Sequence, residues 1–81
     1  MRVTVLAFAR IREVIGASSA TLELPEGATA ASLWRELAER HPELVPLESS
    51  TRLARNGALV DRRTVLSDGD EIGVMPPFGG G

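Results

Sequence analysis

The residues whose types and order could do chemistry sit together at the end of the chain, in Pro76-Pro77-Phe78-Gly79-Gly80-Gly81. At an average glycine usage of about 7 %, three terminal glycines arise by chance in roughly 3 chains in 10,000, so the run is read as a feature. Lacking Cβ atoms, these glycines make the narrowest peptide thread available and leave the Gly81 carboxylate unshielded by any side chain. Such a thread can enter a tunnel in another protein. A carboxylate at its tip is a poor electrophile until a leaving group is attached, after which a nucleophile can attack the carbonyl carbon. Ordering the thread in a partner costs about 1–2 kcal/mol per residue. Pro76 and Pro77 lower that cost by stiffening the approach, and Phe78 offers an apolar anchor. The competing reading, a frayed terminus, is weakened by the strand-Pro-Pro-aromatic context.

Nothing else in the chain resembles a catalytic centre. There is one histidine, no cysteine and no tyrosine, and no Gly-rich loop joins a strand to a helix, so the chain is not expected to be an enzyme by itself. The absence of cysteine excludes a disulfide framework, a thiolate metal site and a persulfide held on a side chain. His41 falls at a helix end, where the helix dipole accounts for it. Trp34 lies in a helical core stripe and is read as packing. Asp68 and Asp70 flank Gly69, which suits turn chemistry better than a metal loop, so no metal site is expected. All nine basic residues are arginine, so no side-chain ammonium is present to capture an activated acyl group. Eleven acidic residues give a net charge of -2, which carries no footprint for nucleic acid or an anionic membrane. No stretch approaches the roughly 20 apolar residues of a membrane span, and the start of the sequence carries no signal-peptide core; a cytoplasmic protein is expected.

The body must position that tail. Eighty-one residues suit one domain, and 43 % hydrophobic residues are enough for one core. Residues Val3 to Ala9 read as a strand with apolar side chains on both faces: Val3, Val5 and Ala7 on one, Leu6 and Phe8 with Thr4 on the other. Such a strand is either central or has its outer face covered by another element or a partner. Ile11, Val14 and Ile15 at helical spacing, stopped by Gly16, predict a short helix. Ala20 to Leu24, closed by Pro25-Glu26-Gly27, predicts a second strand paired with the first. Thr29 is the expected N-cap of the main helix, which runs to about Arg40 and is ended by Pro42. Its core stripe is Ala30, Leu33, Trp34, Leu37 and Ala38, and Arg35 with Glu39 and Glu36 with Arg40 pair on the outer face. Leu53–Arg55 and Ala58–Val60 flank Asn56-Gly57, a hairpin signal, and Asp68-Gly69-Asp70 turns into a last strand over Glu71–Met75. The order predicts an α+β domain of the β-grasp (ubiquitin-like) class over residues 1–77, with a mixed sheet of four to five strands and one main helix packed across it. A flexible glycine tail is expected over 78–81.

Along essentially its whole length the sequence resembles the MoaD/ThiS family of ubiquitin-like sulfur carriers. The most specific part is Asp68-Gly69-Asp70-Glu71, then Ile72-Gly73-Val74-Met75-Pro76-Pro77 and the terminal Gly80-Gly81. Val5-Leu6-Ala7-Phe8-Ala9 leading to Ile11-Arg12-Glu13 and Gly16 looks more like the small subunit of molybdopterin synthase than the shorter thiamine-pathway carriers, and the Pro-Pro pair points the same way. Gly79 departs from the non-glycine residue common before the family's diglycine. The resemblance implies that an ATP-dependent activating enzyme (MoeB-like) adenylates the Gly81 carboxylate and that sulfur from a donor replaces AMP. The resulting C-terminal thiocarboxylate serves a larger catalytic subunit (MoaE-like) that builds the dithiolene of the molybdenum cofactor. No bound cofactor is implied, and a heterotetramer of two carriers and two larger subunits is expected.

The resemblance also gives the two-faced strand a second explanation, with one sheet face on the helix and the other on a partner. Phe8, Leu59 and Met75 fall where the family presents apolar contacts, with Arg12 at the rim and Phe78 and Gly79 beside the tail. For Phe8 and Leu59 ordinary core packing stands equally open. Arg62 and Arg63 are either solvated turn arginines or a small basic patch for an acidic partner. Three other functions remain compatible with the body: sulfur delivery to thiamine, cysteine or tRNA thiolation, a protein modifier joined through Gly81 to lysine, and a plain binding module.

Overall fold

The computed structural model describes residues 1–76. Pro77, Phe78, Gly79, Gly80 and Gly81 lie outside the described residues, and with them the boundary expected after residue 77 and the tail itself. Five strands form one mixed sheet: β1 (Arg2–Ala7), β2 (Ser19–Glu23), β3 (Arg52–Arg55), β4 (Ala58–Val60) and β5 (Glu71–Met75), in the order β2-β1-β5-β3-β4. Only the β1–β5 pair is parallel; the other three are antiparallel. Two α-helices, α1 (Ala9–Ile15) and α2 (Ala30–Arg40), and a 3-10 helix at Pro42–Ser50 complete the fold. With the main helix across a mixed sheet, this is the expected β-grasp architecture.

Local chemistry explains each boundary. Thr29 caps α2 with a reciprocal box, in which its side chain accepts from the Ser32 N–H and Ser32 Oγ accepts from the Thr29 N–H. The next two donors of the helix are met from outside, as the Ala30 and Ala31 N–H groups donate to the Thr64 and Arg62 carbonyls. Gly16 closes α1 at φ 84°, and Asn56 and Gly57 turn the β3–β4 hairpin with φ 49° and 90°, values that favour these residue types. The α2 stripe of Ala30, Leu33, Trp34 and Leu37 is buried with Val3, Val5, Leu22, Ile72 and Val74 from the inner sheet face, while Ala38 is only half-buried. On the outer face of α2 Glu36 meets Arg40 at 3.2 Å, whereas among the described residues the expected Arg35–Glu39 pair does not close.

Two sequence expectations change. The first strand ends at Ala7, two residues short of the expected Ala9, because Phe8 is the N-cap of α1 (φ -128°, ψ 150°) and Ala9 takes φ +50° to turn the chain out of the sheet. The second strand is Ser19–Glu23, one residue earlier than read, although Leu24 is buried. Nothing in the sequence reading anticipated the 3-10 helix, which buries Leu44 in the core.

Candidate functional site: an open apolar sheet face leading to the tail

The strand with two apolar faces resolves plainly. Val3, Val5 and Ala7 point into the core, whereas the opposite side of β1 is open, and no other described element covers it. Strand register sets a row of small and apolar residues across that outer face. Leu6 stands beside Gly73, Gly73 beside Ala54, and Ala54 beside Leu59, so one row crosses β1, β5, β3 and β4. One step nearer the C-terminal end of β5, Met75 lies beside Arg52. Because β1 and β5 run parallel, the end of β1 carries Phe8 to the same end of the sheet as Met75.

These residues enclose a shallow cavity of about 310 Å³ that is mostly apolar. Phe8 is 45 % exposed and Leu59 57 % exposed, which rules out ordinary core packing for both. Large apolar side chains left open side by side mark an interaction surface more than isolated ones do. Met75 is half-buried and lines the same cavity. Arg12, expected at the rim, is exposed on α1 and does not line it. Phe78, Gly79, Gly80 and Gly81 fall outside the described residues; the last described residue, Pro76, follows Met75 and lines a small cavity with Arg10, Ile11 and Leu47.

Leu6, Ala54 and Gly73 were not singled out as site residues. Leu6 was signalled by its place on the second apolar face of β1. Gly73 carried a weaker signal, a glycine inside a strand, which often marks a close approach. Phe8 Cε2 would lie 3.6 Å from a Cβ added at residue 73, so the ring lies against the bare backbone there.

The remaining polar candidates are structural. Asp70 is buried, and its carboxylate accepts from the Ser67 N–H at 2.8 Å and from Asn56 Nδ2 at 3.3 Å. Asn56 Oδ1 accepts from the Glu71 N–H, and Asp68 Oδ1 from the Arg2 N–H, so the Asp68-Gly69-Asp70 turn pins the hairpin and the start of β1 to β5. Arg62 is only partly solvated, and its guanidinium is turned onto the fold. Its guanidinium lies 5.5 Å from the centre of the Trp34 ring and donates to the Glu48 and Thr51 carbonyls. Arg63 is exposed. His41 is the C-cap of α2, its N–H donating to the Leu37 carbonyl. No helix among the described residues is long and apolar enough to cross a membrane.

A model of the ThiS family matches residues 5–81. The human molybdopterin synthase sulfur carrier subunit is 39 % identical over 83 aligned positions that cover 99 % of this chain and 94 % of that protein. A Pyrococcus furiosus protein described as a putative molybdopterin converting factor subunit 1 superposes with a TM-score of 0.88 at 34 % identity, covering 95 % of this chain and 98 % of its own. Small archaeal modifier protein 1 of Methanosarcina acetivorans gives a TM-score of 0.84 at 28 % identity over 99 % and 96 % of the two chains. A chain from the Helicobacter pylori complex of subunits 1 and 2 of molybdopterin-converting factor gives 0.72 at 27 % identity over the whole of both chains.

Proposed function

The chain belongs to the ThiS family, and from that premise we propose that it is the sulfur-carrier subunit of a molybdopterin synthase, a cytoplasmic, non-catalytic partner of a larger catalytic subunit. The observation that carries this reading is the full-length likeness to the human sulfur carrier, supported by a family match that runs to residue 81. An ATP-dependent activating enzyme joins a Gly81 carboxylate oxygen to AMP with release of pyrophosphate. Sulfide or its equivalent from a donor then attacks the carbonyl carbon, and AMP leaves with that oxygen, so the terminus becomes a thiocarboxylate. Gly79 and Gly80 thread it into the larger subunit, where bulk water is excluded while the sulfur bonds to a carbon of the pterin precursor; one water then cleaves the acyl C–S bond, leaving sulfur on the product and returning Gly81 as a carboxylate. No cofactor is held by this chain. Body residues 1–77 serve recognition and 78–81 serve chemistry.

The outer sheet face supports docking, since Leu59 lies exposed in its middle row, and Phe8 and Met75, exposed and half-buried, lie at the end of the sheet where β5 finishes. Phe78 adds an apolar contact next to the glycines, and Arg12 a polar contact on α1. Two carriers and two larger subunits form the assembly. Removal of Gly80 and Gly81 tests the reading. In a reconstituted synthase the truncated chain is expected to retain its complex with the larger subunit and to lose sulfur delivery; full delivery without the two glycines overturns the proposal. A modifier reading draws support from the likeness to the archaeal modifier protein, and Gly81 found in isopeptide linkage to lysines of cellular proteins in quantity would favour it.

A further inference from the structure

A separate cavity lies where the described chain ends. It is lined by Arg10 and Ile11 of α1, Leu47 and Ser50 of the 3-10 helix, Thr51 and Pro76, and has a volume of about 180 Å³. Its walls are mostly apolar because the polar groups of the lining side chains are engaged elsewhere. The Ser50 and Thr51 hydroxyls both donate to the Leu47 carbonyl, at 3.1 Å and 2.7 Å. The Arg10 guanidinium faces Glu13 at 3.5 Å, which leaves the methylenes of Arg10 for the wall. Ile11 is buried and Leu47 half-buried, whereas Arg10 and Ser50 are exposed, so the cavity opens to solvent beside them. The occupant that suits such walls is a compact apolar side chain.

The chain itself supplies one. Pro76, the last described residue, is part of the cavity wall, and Phe78 follows two residues later. Two residues span at most about 7 Å, so the Phe78 Cα lies within that distance of the Pro76 Cα. Pro77 narrows the route further by fixing its own φ and holding Pro76 extended. Phe78 is also the one aromatic or branched aliphatic residue beyond Pro76, since only glycines follow it. Size agrees, because a buried cavity of ~150 Å³ accepts benzene and about 180 Å³ takes a phenyl ring with little to spare. We propose that this cavity is the seat of the Phe78 ring in the free protein, an intramolecular contact that roots the tail against α1 and the 3-10 helix. A ring tethered this closely meets its seat at a high effective concentration, which an apolar side chain from another molecule has to match. Seating leaves residues 79–81 as the thread, with a reach of about 10 Å. It also fixes where the thread starts before a partner arrives, which lowers the ordering cost of binding. The seat is independent of what Gly81 carries.

The test is NMR of the free, full-length protein with labelled isoleucine and leucine methyls, comparing the parent with Phe78→Ala. The parent is expected to show cross-relaxation between the Phe78 ring protons and the methyls of Ile11 and Leu47. Phe78→Ala is expected to lose those peaks and to shift both methyls as the ring current disappears, while the core methyls of Leu22 and Leu33 stay in place and report an intact fold. Ile11 and Leu47 methyls at their parent positions in Phe78→Ala overturn the seat. So does cross-relaxation of the ring with Leu6 and Leu59 instead, which would put it on the outer sheet face. Ring contacts that fade on dilution would place a second copy's ring in the cavity and overturn it likewise. None of these readings involves sulfur, so failure of the seat leaves the sulfur-carrier proposal standing, and removal of Gly80 and Gly81 tests that proposal separately.

Discussion

Leu59→Ala separates docking from folding. Leu59 sits on β4 at the edge of the sheet and is 57 % exposed, so a little over half of its surface is still available to a partner. Burying a whole leucine side chain is worth about 1.5–3 kcal/mol, which leaves about 0.9–1.7 kcal/mol for docking to gain. At about 1.4 kcal/mol per tenfold in affinity, and with alanine retaining the β-carbon, the dissociation constant for the larger subunit should rise roughly three- to tenfold. The free protein should hardly notice, because substitutions at exposed positions usually stay within about 0.5 kcal/mol. Calorimetric titration of the larger subunit and a thermal melt of the free chain read the two quantities separately. Affinity within twofold of the parent refutes the reasoning, and so does a loss of stability of about 2 kcal/mol or more, which would mark Leu59 as a core residue.

Two structural predictions accompany it. Asp70→Ala removes the buried carboxylate that accepts from the Ser67 N–H and Asn56 Nδ2, and the loss of these hydrogen bonds to a charged group should cost about 1–3 kcal/mol in denaturant unfolding; a change below about 0.5 kcal/mol contradicts the account of the turn. Arg62→Lys keeps the charge but loses the flat fork that spans Trp34 and two carbonyls, so it should lose most of what Arg62→Ala loses, about 1 kcal/mol or more. A lysine variant as stable as the parent would show that charge alone matters there.

Legibility followed the range of the interactions involved. Asn56-Gly57, the Thr29 cap, Gly16 and the Pro42 stop act within a few residues, and each produced the expected turn or helix end. The end of β1 was misplaced because the apolar run continues through Phe8 and Ala9, and hydrophobicity carries no record of the turn at φ +50°. The 3-10 helix at Pro42–Ser50 was missed because Pro42 and Pro46 mask any regular period, while its contribution to the core, Leu44, is a single residue. Period-two alternation showed that β1 had two apolar faces, but only the sheet order shows that the Leu6 face is open. Gly73 and Arg62 escaped for the same reason: the contacts that define them, Phe8 with Gly73 and Trp34 with Arg62, join residues far apart in the chain. The tail was the most legible feature of all from composition, and it lies outside the described residues.

The central claim is that Gly81 carries sulfur, and an intact mass spectrum tests it most directly. After incubation with ATP, the host's activating enzyme and a sulfide source, the account predicts a chain about 16 Da heavier, with the gain confined to the C-terminal peptide, as exchange of one carboxylate oxygen for sulfur requires. An unchanged mass with an enzyme that is active on another carrier would contradict it and leave the modifier or binding-module readings in its place.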